Sequence, residues 1–79
     1  MSFVLKTGVT REELTRDCLK DLRLWPGCET VDGIAVLADG RDKFTVHVVA
    51  YGRAKKHIAD RAIRVIQRAK SRHFYLKLE

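Results

Sequence analysis

Residues 29–51 read ETVDGIAVLADGRDKFTVHVVAY, and the fold turns on how this stretch pairs with itself. Glu29 to Ala38 and Lys43 to Tyr51 are rich in Val, Ile, Thr and aromatic residues and flank the turn-forming cluster Asp39-Gly40-Arg41-Asp42, so they predict an antiparallel hairpin. The second half alternates, with Phe44, Val46, Val48 and Ala50 on one side and Thr45, His47, Val49 and Tyr51 on the other. Slipping the register by one residue would carry a whole set of side chains to the opposite face. A two-residue Asp39-Gly40 turn would set Val36 opposite Lys43 and Ile34 opposite Thr45. A three-residue loop sets Val36 opposite Phe44 and Ile34 opposite Val46, and a five-residue loop also keeps the apolar sets together. An odd loop is therefore expected, against the usual attraction of Asp-Gly to two-residue turns.

Upstream of the hairpin, Thr10-Arg11-Glu12-Glu13 has the form of a capping box. The Thr10 hydroxyl can accept from the Glu13 amide while the Glu13 carboxylate reaches back to the Thr10 amide. Val9 and Leu14 stand where a hydrophobic staple would place them. Leu14, Cys18, Leu22 and Trp25 then recur at helical spacing, with Leu19 beside them, until Pro26-Gly27 stops the helix. The first helix is expected over about residues 11–24. Downstream, Gly52 breaks the strand, and Ala54, Ile58, Ala62, Val65, Ile66 and Ala69 trace the apolar stripe of a second helix ending near Lys70 or Ser71. Phe74 to Leu78 alternates like a strand, and Phe3-Val4-Leu5 is a candidate strand at the other end.

The element order is then β-α-β-β-α-β, or α-β-β-α-β without the first strand. Two amphipathic helices and three or four strands are most simply arranged as a two-layer α+β sandwich, both helices on one face of a mainly antiparallel sheet. Right-handed crossovers make the ferredoxin-like topology the expected one for the six-element order. Its open sheet face would show Thr45, His47, Val49 and Tyr51, with Tyr75 and Lys77 from the last strand.

The chain has 79 residues, so it is read as one domain, residues 1–79. Hydrophobic residues make up 46% and charged residues 33%, which excludes a disordered or collagen-like chain. The longest apolar run, Ile34 to Ala38, is far shorter than a membrane span, and no membrane partner is expected. Two cysteines are too few for a secreted disulfide framework, and Met1 to Lys6 holds no apolar core of a signal peptide, so a reduced cytoplasmic setting is expected.

The net charge of +6 is unevenly distributed. Residues 1–52 carry seven Lys/Arg against eight Asp/Glu, whereas residues 53–79 carry nine against two. Such asymmetry draws polyanions. On the second helix, Lys56, Arg61, Arg64 and Arg68 spread over a wide arc and are the expected phosphate contacts. His47, Tyr51 and Tyr75 are candidate stacking surfaces for unpaired bases, with Lys77, Lys43 and Lys6 as further cations. The stretch Lys43 to Val48 lacks the Gly-aromatic-Gly-Phe pattern of an RNA-recognition motif, so that family is not assigned. A bland explanation stands beside each feature: a charged outer helix face keeps a small domain soluble, and an open sheet face can pair with a second copy.

Catalytic chemistry is not expected. Glu12 and Glu13 belong to a helix start, Asp39 and Asp42 to a turn, and no phosphate loop, nucleophile elbow or His-Asp-Ser set is present. Lys6-Thr7-Gly8-Val9 does not match the Gly-rich anion loop of acylphosphatases. His47, His57 and His73, with Cys18 and Cys28, show no zinc spacing, so no metal or cofactor is expected. Cys18 reads as a small core residue, and Cys28, after Pro26-Gly27, as one that can be exposed. From the first helix through Tyr51-Gly52-Arg53-Ala54 to Phe74-Tyr75-Leu76 the element order is similar to that of a BON domain, without its Gly-Val pair before the final strand. The expected function is thus a small basic binding module contacting nucleic acid, RNA or DNA. The alternative is a protein-interaction module that meets an acidic protein or forms a homodimer through its open face or edge strand.

Overall fold

A computed structural model describes residues 6–40 and 43–77 of the chain. The elements follow the order β1 (Thr7–Val9), α1 (Arg11–Arg23), β2 (Gly33–Ala38), β3 (Phe44–Ala50), α2 (Lys56–His73) and β4 (Phe74–Leu76). The described residues make a compact mixed α+β fold of two helices and four strands. The expected strand at Phe3-Val4-Leu5 lies outside the described residues.

Helix α1 begins at the capping box foreseen from the sequence. Thr10 Oγ1 accepts from the Glu13 amide at 3.1 Å, and Glu13 Oε1 accepts from the Thr10 amide at 3.3 Å. Hydrogen bonding with Thr10 holds the Glu13 carboxyl below its usual range. Leu14, Cys18 and Leu22 form the buried stripe, and Leu24 closes the helix just before Pro26. The chain then descends through successive turns, with Cys28 N donating to Trp25 O at 2.9 Å and Val31 N to Cys28 O at 3.2 Å. These turns carry Cys28 and Val31 fully into the core, so the expectation of an exposed Cys28 is corrected.

In the hairpin, Ala38 faces Phe44, Val36 faces Val46 and Ile34 faces Val48. The connection is residues 39–43, the five-residue version of the odd loop, closed by Asp39 N donating to Lys43 O at 2.9 Å. Ile34, Val36, Phe44, Val46 and Val48 are all buried, which is the parity argument realised. From Gly33 to Ile34 the register on β3 moves from Ala50 to Val48, leaving Val49 as an extra residue. Such a bulge resets the alternation of the residues beyond it.

The two strand pairs differ in sense: β2–β3 is antiparallel, and β1–β4 is parallel, with Val9 beside Leu76 and Gly8 beside Tyr75. The described strands therefore form two separate two-stranded pairs and not the single, mainly antiparallel sheet of a ferredoxin-like fold. Local packing accounts for the parallel pair. Val9 and Leu76 bury side by side, Lys77 N donates to Val9 O at 2.9 Å, and Tyr75 crosses Gly8 so closely that a Cβ there would meet its hydroxyl at 2.7 Å.

The apolar face of α2 is Ala59, Ala62, Ile63 and Ile66, with Ala54 and Ile58 packed at its margin. This corrects the expected stripe at two positions, because Val65 is 47% exposed and Ala69 is exposed. The reason is the i, i+3, i+4, i+7 spacing of residues 59, 62, 63 and 66, which centres the buried face away from Val65. Beyond Ile66, the next inward place goes to the stem of Lys70, whose Nζ pairs with Asp21 Oδ2 of α1 at 2.9 Å. Among the described residues no helix is long and apolar enough to cross a membrane.

Candidate functional site

Helix α2 sets the outer surface. At about 100° per residue, Arg61, Arg64, Arg68 and Arg72 fall within an arc of about 80° that points away from the buried Ala59-Ala62-Ile63-Ile66 face. All four are exposed. The expected wide arc is thus resolved into a narrow arginine ridge, about one turn between neighbours, with Lys56 standing off to one flank. Among the described residues the ion pairs are Lys56–Asp60 at 2.8 Å and Lys70–Asp21 at 2.9 Å, and no carboxylate pairs with the four arginines.

The flank of α2 beside this ridge faces the outer edge of β3, the edge turned away from β2. Val46 donates its amide not to a strand but to Gln67 Oε1 at 2.8 Å. Backbone groups of alternate strand residues point to the same side, so this bond marks the edge on which Phe44, Val46 and Val48 present their amides. A recess of about 300 Å3 opens between that edge and α2, lined by His47, Tyr51, Lys56, Asp60, Arg64 and Gln67 among others. A second recess of about 270 Å3 continues along the same edge past Thr45 and Gln67 to Lys43 and Lys6.

Tyr51 reaches the recess because of the bulge at Val49. It was expected on the open face with Thr45, His47 and Val49. The extra residue turns it toward α2, where its hydroxyl donates to Asp60 Oδ1 at 2.6 Å. Lys56 Nζ donates to Asp60 Oδ2 at 2.8 Å and lies 5.9 Å from the centre of the Tyr51 ring. Hydrogen bonds from Lys56 and Tyr51 hold the Asp60 carboxyl below its usual range, while bonding to Asp60 raises both the Tyr51 and the Lys56 pKa. The three groups stay in one charge state through neutral pH: carboxylate, phenol and ammonium. Gly52 follows at φ 60°, with its Cα against the Thr30 carbonyl, and Arg53 N donates to Thr30 Oγ1 at 2.8 Å. These contacts pin the β3–α2 junction to the turns after α1.

Of the residues singled out from the sequence, His47, Tyr51, Lys56 and Arg64 meet around the recess, and Arg61 and Arg68 lie on the ridge above it. Tyr75 and Lys77 do not join them: they belong to the β1–β4 pair, where both lie over Gly8. Sequence reading left out Gln67, Asp60 and Arg72. Helical spacing was the available signal, since Lys56, Asp60 and Gln67 share one flank of α2 and Arg72 extends the row of Arg61, Arg64 and Arg68.

Of the exposed apolar side chains, Val65 stands on α2 beside the ridge and Leu24 ends α1. Leu37 (51% exposed) and Val49 (63%) lie on the face of the hairpin turned away from the core. Among the described residues no three His, Cys, Asp or Glu side chains gather as a metal site would require. No protein-family model, curated protein or solved structure matches this chain.

Proposed function

We propose that the protein is a small binding module without catalytic chemistry that holds nucleic acid by its phosphates on the arginine ridge of α2. The observation that carries this reading is the row Arg61, Arg64, Arg68 and Arg72, exposed, on one face, and unpaired with any carboxylate among the described residues. Guanidinium groups match phosphate oxygens in geometry as well as charge, and a solubilising helix face would ordinarily interleave acids. Here the single acid of α2, Asp60, is taken up by Lys56 and Tyr51. Two free, buried thiols, Cys18 and Cys28, fit a reducing cytoplasmic compartment in which such a partner is met. The test is a titration of labelled single-stranded RNA and duplex DNA at two salt concentrations, with the parent chain and with Arg64→Glu/Arg68→Glu. Binding that weakens with salt and is lost in the variant is the expected result, and no binding to either at low salt removes the reading.

The second reading is self-association or protein binding through the outward face of the hairpin. Leu37 and Val49, side chains of substantial apolar area exposed on one face, favour it. Sedimentation of the isolated protein decides this reading: a monomer at high concentration excludes the homodimer.

A further inference from the structure

We infer that the recess between the outer edge of β3 and α2 receives one unstacked base of a single strand, whose phosphates lie on Arg61, Arg64 and Arg68, so that the protein prefers single-stranded to duplex nucleic acid. The inference rests on the nucleic-acid reading above and specifies the form of the partner. A duplex presents a phosphate surface to a convex ridge and keeps its bases stacked inside, so the ridge alone would not distinguish the two forms. The recess does. Its volume of about 300 Å3 is of the size that takes a small planar ligand and far too small for a double helix.

Its lining has the mixture that base contact requires. His47 is exposed at the mouth of the recess, on the outward face of β3 with Thr45, and its register partner on β2 is Ala35, whose methyl leaves the imidazole uncovered from that side. The ring is thus available for stacking, whereas Lys56 lies over the Tyr51 ring and Asp60 holds its hydroxyl. On the helix side of the recess, the Gln67 carboxamide is fixed by accepting from the Val46 amide, which leaves its amino group to donate to a base oxygen. Arg64 lines the recess and also belongs to the ridge, so a strand whose base enters the recess has its adjacent phosphates beside Arg61 and Arg68. The second recess, which carries Lys43 and Lys6 with Asp39 beside them, continues along the strand edge.

The test compares a fluorescent oligothymidylate with a duplex of equal length at low salt, using the parent chain, His47→Ala and Arg68→Gln. Both substituted side chains are exposed, and each variant is checked by its melting curve. The oligothymidylate is expected to bind about ten-fold more tightly than the duplex. His47→Ala should weaken the single strand by about five-fold or more, the effect of one lost stacking partner, and leave the duplex unchanged. Arg68→Gln should weaken both. Equal affinity for the two forms, or a His47→Ala variant that binds the single strand as the parent does, overturns the inference while the ridge reading stands. Absence of binding to either form at low salt overturns both.

Discussion

Neutralising two of the four ridge arginines, by Arg64→Gln/Arg68→Gln, isolates the claim that the ridge itself meets phosphates. Both side chains are exposed and point away from the core, and Gln has nearly the helix propensity of Arg, so the fold should be untouched. Four arginines each meeting one phosphate of a single strand release counterions so that log K falls with log salt at a slope of about −2.8. Between about 50 and 200 mM salt that slope corresponds to an affinity loss of about 50-fold. The double variant retains Arg61 and Arg72, so its slope should be about −1.4, a loss of about 7-fold over the same range. Fluorescence anisotropy with a labelled oligothymidylate across a salt series gives both slopes, and a melting curve shows that the variant is folded. A variant slope equal to the parent's refutes the reasoning, because the salt-sensitive contacts would then lie elsewhere, on Lys43, Lys6 or Lys77. A reduced affinity at every salt with an unchanged slope would refute it equally, since that is the signature of a disturbed fold and not of lost phosphate contacts.

Three further outcomes test the architecture beneath the site. Gly52→Ala should cost far more than Gly40→Ala: both glycines have positive φ, but a Cβ on Gly52 strikes the Thr30 carbonyl whereas one on Gly40 meets nothing among the described residues. Gly40→Ala should cost about 1–2 kcal/mol, lowering the melting temperature by roughly 4–8 °C for each kcal/mol, and equal melting temperatures for the two variants would contradict the close approach at Thr30. Burial pushes the Cys18 thiol up to about 11 and raises that of Cys28, so at pH 8 iodoacetamide should modify neither thiol in the native protein and both after unfolding. Rapid alkylation of native Cys28 would show that the turns after Pro26 do not bury it. Asp60 has a folded-state pKa below its unfolded one, so its contribution is present above the unfolded value and lost as pH falls through the folded value. Asp60→Asn should therefore flatten the acid side of a plot of melting temperature against pH, and an acid side identical to the parent's would mean that its bonds to Lys56 and Tyr51 add no stability.

Local rules made much of the fold legible. The capping box and Pro26 placed α1 within a residue of its ends, and the parity of Val36 against Val46 required an odd hairpin loop, because in both cases the deciding interactions lie within a few residues. Other features depended on partners distant in sequence. The buried face of α2 includes Ile63 and excludes Val65 because α1 and β3 approach from a particular side, with Asp21 drawing Lys70 inward. The aromatic set expected on one open face is divided between two strand pairs, since the last strand lies parallel beside Thr7–Val9 and a bulge at Val49 swings Tyr51 onto the helix.

Amino-acid order by itself determined where cations accumulate, where helices start and stop, and which residues of the hairpin must share a face. Each of these follows from charge, backbone chemistry or a fixed period. Tertiary structure alone decided that, among the described residues, the arginines stand as a ridge with no carboxylate paired to it and β3 keeps an outer edge with a recess against α2. Such features depend on which elements become neighbours, and that is set by burial of the whole core, beyond the reach of any spacing along the chain.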